Sequence, residues 1–420
     1  MTLRSSTALP SGMATRSLVW MLVALISGFS LSQAFRTVAA ILAAPLQTDW
    51  ALSPQQLGVF AAAFHFAFGA MQLFMGIGID LYGVRRTILV AFPLAIVGSV
   101  LSALAPGYGT LVFAQVLIGV GCAPAFLVCT VFIARHFAPQ RFAAMSGLAL
   151  GLGTVGMLLT GTPLAWLVQQ WSWRAGFVAL AVLAALAWLW MARCVHEPAA
   201  HHGAPLAAER ESVHQAVLRF AGLFALPHTW GIVALGGVTY AALISLRGLW
   251  MGPLLIERHG YSLVASGNAA LALSLIALFG PIVFGRIDPG AATRRRWLVA
   301  CTLLTAGLFA LLALGIDGAL DVALMLAIGL LSGFIVLQYA DVRAAYPAHL
   351  TGRAMAAFTM AMFLGVAAMQ WATGAIASMA EAHGADPYAW VMAGIAAMLA
   401  LSAAAFAWLP QPPVQVAAQA

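Results

Sequence analysis

The sequence predicts an all-α membrane protein with twelve transmembrane helices in two pseudo-symmetric six-helix bundles. Three observations carry that expectation. Hydrophobic residues fill 63% of the 420 positions and charged residues only 7%, against about a quarter charged in a soluble domain. The apolar runs reach the ~20 residues that cross a bilayer. They also divide evenly around one sizeable polar stretch.

In chain order the runs fall at 18–45, 54–79, 87–105, 109–134, 142–168 and 175–193, then at 229–256, 264–285, 297–316, 320–340, 353–379 and 388–408. The implied organisation is a tail over 1–17, a first bundle over 18–193, a linker over 194–228, a second bundle over 229–408 and a tail over 409–420. The first run follows Arg4 and Arg16 as a signal peptide would. It continues past Arg36 to Pro45 without a cleavage pattern, and reads as a helix.

All 19 basic residues are arginines. Basic loops stay on the cytoplasmic side. Placing both termini there puts Arg4, Arg16, Arg85, Arg86, Arg135, Arg141, Arg193, Arg210, Arg219, Arg286, Arg294, Arg295, Arg296, Arg343 and Arg353 inside, and only Arg174 and Arg258 outside. The expected location is the inner (cytoplasmic) cell membrane, multi-pass, with the lipid bilayer as partner. The net charge of +7 lies in short loops and not on one soluble face, which argues against nucleic acid as a partner. Four cysteines within or beside apolar runs give no sign of a disulfide framework.

The halves match in detail, because Gly76, Asp80, Arg85 and Arg86 follow the second helix as Gly285, Asp288 and Arg294 to Arg296 follow the eighth. The segment Gly76-Ile-Gly-Ile-Asp80-Leu-Tyr-Gly83-Val-Arg85-Arg86 resembles the loop 2/3 signature of the major facilitator superfamily, and the chain fits that family's twelve-helix plan. Gly83 permits a tight turn, Asp80 suits a helix N-terminus, and the arginines suit headgroups or acidic partners. The resemblance implies a secondary transporter in which Asp80, Gly83, Arg85, Arg86 and Asp288 gate without choosing substrate. Asp341 and Arg343, at the inner end of helix 10, read as gate partners or as an ordinary solvated pair. Leu81 departs from the family's usual basic residue, and Pro289 interrupts the second copy. Helix 4 reads Gln115-Val-Leu-Ile-Gly119-Val-Gly121, similar to the family's Arg-x-x-x-Gly motif with glutamine in place of arginine, which weakens the proton coupling that the motif implies. The helix 5 residues Gly147, Gly151, Gly153, Gly156, Gly161 and Pro163 are similar to an exporter motif without its usual spacing, and close packing is the stronger reading.

Arg36 in helix 1 and Arg247 in helix 7 are the sharpest signal, since charge at membrane depth costs roughly 2.5 kcal/mol or more on insertion scales. Each lies about five residues, or ~7 Å, past the middle of its helix. Pro45 and Pro253 follow them in parallel. A pseudo-two-fold axis would aim both guanidiniums at one cavity, where no mid-helix Asp or Glu waits. An anionic substrate supplies the missing counter-ion, and guanidinium forks match carboxylate and phosphate. Paired arginines on helices 1 and 7 also resemble the superfamily's organophosphate and organic-anion transporters. Snorkelling to the outer interface, or pairing with Glu257 or Asp49, stays open.

His65, deep in helix 2, reads either as a proton carrier or substrate donor, or as a histidine satisfied by a neighbouring helix. Gln370 and Tyr339 are the preferred polar wall residues, ahead of Gln33, Gln72, Gln115 and Gln338, with Trp250 and Trp371 as apolar walls. Met355, Met362 and Met369 raise Cu(I), but core packing is favoured. His196-Glu197 and His201 miss the spacing of a zinc-protease motif, and Pro198 breaks the helix such a motif needs. No cofactor or metal is expected, and no nucleophile elbow or nucleotide loop points to an enzyme. The expectation is secondary active transport of a small solute, an organic or inorganic anion, by alternating access, with protons or a counter-substrate as coupling partners. The alternatives are a drug or neutral-solute exporter and a non-transporting receptor or scaffold.

Overall fold

The computed structural model describes residues 15–137, 139–196, 218, 220–287 and 289–410. Twelve helices long and apolar enough to cross a bilayer occur among them. In the first half these are α1 (Ser17–Thr37), α2 (Pro54–Ile79), α3 (Leu81–Ala103), α4 (Tyr108–His136), α5 (Leu148–Gln170) and α6 (Trp173–Cys194). In the second they are α7 (Pro227–Arg258), α8 (Leu263–Arg286), α9 (Thr293–Ala313), α10 (Gly318–Ala345), α11 (Leu350–Ala382) and α12 (Pro387–Trp408). No strand occurs among the described residues. The expected twelve-helix, two-bundle fold is the observed one. Tail residues 1–14 and 411–420, linker residues 197–217 and 219, and Asp288 lie outside the described residues.

Local chemistry sets the helix ends. Ser53 and Gln56 form a capping box ahead of α2, with Pro54 at its first turn. Ser172 caps α6, Ser262 caps α8, Asp317 caps α10 and Asp386 caps α12. All five caps lie at the end of the molecule that carries Arg174 and Arg258, hereafter the arginine-poor end. Acidic side chains there face helix N-termini, where the backbone dipole favours negative charge. At the opposite, arginine-rich end Gly83 (φ 82°, ψ 171°) and Gly290 (φ 81°, ψ 165°) make the same left-handed turn in the two halves. The non-helical backbone of Gly83 separates α2 from α3, so the third helix starts at this turn and not at 87.

Exposed tryptophans mark both ends, Trp166, Trp171 and Trp390 at one and Trp20, Trp230, Trp297 and Trp408 at the other, as side chains with an apolar body and a polar N–H do at membrane interfaces. Between them the outer helices show lipid-compatible residues such as Val90, Val97, Leu186, Leu304 and Leu401. Helices α3, α6, α9 and α12 pack chiefly within their own halves, and the contacts between the halves come mainly from α1, α2, α5, α7, α8 and α11.

The halves meet most closely at the arginine-poor end. Helix α1 continues past a break at Val38 as Ala39–Trp50, and its Ala40 carbonyl lies against Gly252 of α7. A methyl group on Gly58 of α2 would sit 2.5 Å from the Gln370 carbonyl oxygen of α11. Gly161 of α5 faces Leu271 and Gly267 of α8. Two hydrogen bonds join the same surfaces, Gln55 N to Ser378 Oγ at 3.0 Å and Thr162 Oγ1 to Asn268 Oδ1 at 2.5 Å. Within the first half, Gly153 and Gly156 of α5 pack on Phe29 and Ser30 of α1, the close approach that small residues allow.

Candidate functional site

Two helix irregularities place the intramembrane arginines. Thr37 Oγ1 turns back on the carbonyls of Gln33 and Ala34 and meets Thr160 Oγ1 of α5 at 2.6 Å. Such back-bonding competes with the helix ladder, and α1 breaks at the next residue, with Arg36 in its last turn. In α7, Arg247 lies within a π-helical stretch over Leu246–Trp250, followed by a second over Leu254–Arg258. Pro253 between them has no N–H for the Leu249 carbonyl, and its ring crowds that turn. Wide turns of this kind gather at functional sites.

Arg36 is only 6% exposed, so it does not snorkel. Its guanidinium carbon sits 4.5 Å from the Phe68 ring centroid of α2 and 4.7 Å from that of Phe363 of α11. The cation is thus held between rings from opposite halves, a desolvated arrangement worth ~2 kcal/mol. Its buried Nε has no hydrogen-bond partner among the described residues. The two acids considered as counter-ions are engaged elsewhere, Asp49 by Trp173 Nε1 at 2.6 Å and Glu257 by the Tyr388 hydroxyl at 2.5 Å.

Arg247 is 1% exposed and bonds to both halves. Its Nε donates to the Ala270 carbonyl at 3.1 Å and to Ser274 Oγ at 3.0 Å on α8. Its Nη2 donates across to the other half, to the carbonyls of Met157 at 3.0 Å and Thr160 at 3.5 Å. The wide turn swings the side chain toward α5 and α8, and only Nη1 is left without a partner. Both arginine neighbourhoods nevertheless converge on Thr160, one through Thr37 and the other through Arg247.

His65 and Gln370 complete the buried cluster. His65 Nδ1 lies 3.2 Å from the Ala61 carbonyl, and its ring feels both Arg36 and the Gln370 amide. His65 Nε2 and both amide atoms of Gln370 are buried, with the ring beside the amide, and make no hydrogen bond of good geometry among the described residues. Gly248 brings the α7 backbone against the Arg36 carbonyl and the Gln370 amide. Buried polar atoms almost always find partners. Here Arg36 Nε, His65 Nε2, Arg247 Nη1 and the two Gln370 atoms all lack one among the described residues.

The remaining sequence candidates lie around or away from this cluster. Trp250 is buried and its Nε1 donates to Thr373 Oγ1 at 2.9 Å, fixing α7 on α11. Tyr339 packs edge-on to Phe358, and its hydroxyl contacts Met362 Sδ at 3.5 Å. Trp371 is 54% exposed and lies off the cluster. Met362 and Met369 are core residues. At the arginine-rich end Arg85 Nη2 donates to the Ala192 carbonyl at 3.1 Å, while Arg86 is exposed. Asp341 pairs with Arg295 at 3.3 Å and not with Arg343, which is exposed. That corrects the expected Asp341–Arg343 pair: residues two apart on a helix do not share a face. The sequence reading overlooked Phe68, Phe363, Thr160 and Ser274. Phe68 had a usable signal, since it lies three residues from His65 and therefore on the same helix face.

Two six-helix bundles with their unpaired polar atoms buried between them define a polytopic membrane protein of the carrier type. The family model of the Major Facilitator Superfamily matches residues 24–370, and the chain belongs to that family. It is 25% identical over 148 residues to the hexuronate transporter of Bacillus subtilis (strain 168), 35% of either chain. It is 23% identical over 280 residues to the uncharacterized transporter YybO of the same organism, 63% of this chain and 64% of that one. The chain thus spans about a third and just under two thirds of the lengths of these curated relatives. The crystal structure of a D-xylose-proton symporter shares the fold with a TM-score of 0.75 at 16% identity, over 94% of this chain and 99% of that one.

Proposed function

We propose that this protein is a secondary active transporter that carries a small anion across the inner membrane by alternating access, with Arg36 and Arg247 as its anion-binding groups. The observation that carries this reading is Arg36, a buried cation clamped by two aromatic rings with no acidic partner among the described residues. A carboxylate or phosphate entering between the halves meets Arg36, the free Nη1 of Arg247 and the open hydrogen-bonding atoms of Gln370 and His65. Charge-assisted bonds of this kind are the strong ones. The relative that transports hexuronate, a sugar acid, supports an organic anion. In this reading His65, buried beside Arg36, is the group placed to exchange a proton during the cycle.

Ligand-induced thermal stabilisation of the purified protein tests the reading. One class among carboxylates, phosphate esters and inorganic anions is expected to raise the melting temperature saturably, and organic cations are not. Indifference to every anion, together with a response to a neutral or cationic solute, would make the arginines structural.

The arginine bias places the arginine-rich end, with both termini, in the cytoplasm. The close approach of the halves at the arginine-poor end then lies toward the outside. A reporter inserted after Gln169 is expected to read out as external. A cytoplasmic signal there would reverse the orientation.

A further inference from the structure

We propose that the groove between α9 and α12 at the arginine-rich end is a binding site for one anionic phospholipid, whose phosphate is held by Arg295 and Arg296. The inference stands apart from the transport site and does not depend on what is carried. The groove is a shallow, open one of about 370 Å³, with Arg295 and Arg296 at its head and Val299, Ala300, Leu303 and Phe406 along its walls. Both helices are peripheral and pack within the second half, so the groove opens to the bilayer and not to the middle of the protein.

The head of the groove is built for a phosphate. Arg295 is held in place: its Nη1 lies 3.3 Å from Asp341 Oδ2, its Nη2 3.4 Å from the Phe406 carbonyl, and its guanidinium carbon 3.9 Å over the Phe406 ring. Arg296 beside it is exposed and has no hydrogen bond or ion pair among the described residues. Asp341, the acid that faces this head, is already matched by Arg295. Arg286, Arg294 and Arg343 add further positive charge at the same end. A headgroup carrying its own ammonium would meet this surplus unfavourably, whereas a phosphatidylglycerol-type headgroup would not. Basic pockets between helices on the cytoplasmic side recognise anionic lipids by this means.

The walls are built for an acyl chain. Residues 295, 299 and 303 follow one another at four-residue spacing along one face of α9, rising ~6 Å at each step. Apolar surface therefore runs from the arginine pair toward the membrane interior. Trp297 and Trp408 are exposed at the head, Trp408 by 87%, at the level where tryptophan sits among lipid headgroups.

Native mass spectrometry of the full chain, released from mixed micelles of phosphatidylglycerol and phosphatidylcholine, tests the site. Wild type is expected to retain one phosphatidylglycerol at least fivefold more strongly than phosphatidylcholine. Arg296→Gln, which removes a side chain with no partner among the described residues, is expected to abolish that preference. Ala300→Phe, which fills the groove and leaves every charge in place, is expected to reduce phosphatidylglycerol retention at least fivefold. Equal retention of the two lipids by wild type overturns the proposal, as does undiminished phosphatidylglycerol in either variant. Displacement of the lipid by free glycerol 1-phosphate also overturns it, because the apolar walls would then contribute nothing.

Discussion

Arg36→Gln is expected to eliminate anion-induced stabilisation and to lower transport by two to three orders of magnitude, with the melting temperature of the ligand-free protein almost unchanged. In the ligand-free state this guanidinium contributes ring contacts but no hydrogen bond from its buried Nε. Removing an uncompensated buried cation relieves a desolvation cost, which offsets the lost cation–π attraction. With an anion bound the balance reverses. Truncating one partner of a buried, hydrogen-bonded charge pair costs about 2–5 kcal/mol, or roughly 30- to several thousand-fold at ~1.4 kcal/mol per decade. Arg36→Lys, which keeps the charge but loses the planar fork, should fall between. Arg247→Gln gives the contrasting case, because it removes four hydrogen bonds, two of them to the other half. It should lower the ligand-free melting temperature as well as anion response. Isothermal titration alongside thermal unfolding separates the two signatures, and a saturable anion response surviving in Arg36→Gln would remove that residue from the site.

Gly252→Val is the second large effect, and it acts on conformation. Any side chain at this position runs into the Ala40 carbonyl of the opposite half. Backbone on both sides leaves nothing flexible to give way, and overpacking of this kind typically costs about 1–3 kcal/mol or more. The clash exists only while the halves are shut at the arginine-poor end, so the substitution should shift the population toward the form in which they part. A bias of about 3 kcal/mol changes that ratio by roughly a hundredfold. Spin labels at Trp171 and His383, exposed on opposite halves, should report a longer distance in the variant. Transport should drop at least tenfold in a protein that still folds. An unchanged distance distribution would show that the Ala40–Gly252 approach does not govern closure.

The helix inventory was legible because apolar run length is a one-dimensional property. So was the importance of Arg36 and Arg247, since a charge within a lipid-length run is conspicuous without coordinates. Where those charges point was not legible. Arg247 leaves a π-helical stretch and reaches α5 and α8, a direction that spacing along one helix does not show. Pro253 was visible, but the width of the turns it provokes depends on packing. The ring clamp on Arg36 joins residues almost 300 positions apart, Phe68 and Phe363, and periodicity within one helix cannot show such a pair. The pairing of Asp341 with Arg295 in place of Arg343 has the same origin, because it depends on how α9 lies against α10.

At the arginine-poor end the two halves touch mainly through glycine and carbonyl, at Gly58, Gly161, Gly252 and Gly267. Surfaces of that kind leave few side chains to withdraw when they separate, chiefly Thr162 from Asn268 and the Arg247 guanidinium from the Met157 and Thr160 carbonyls. The few hydrogen bonds that cross the seam can each be exchanged for one to water. Resistance to parting therefore comes from van der Waals attraction, which fades gradually as smooth backbone surfaces draw apart. A seam of this construction makes a tight seal and a low-friction one, able to open and shut many times without rearranging the bundles on either side.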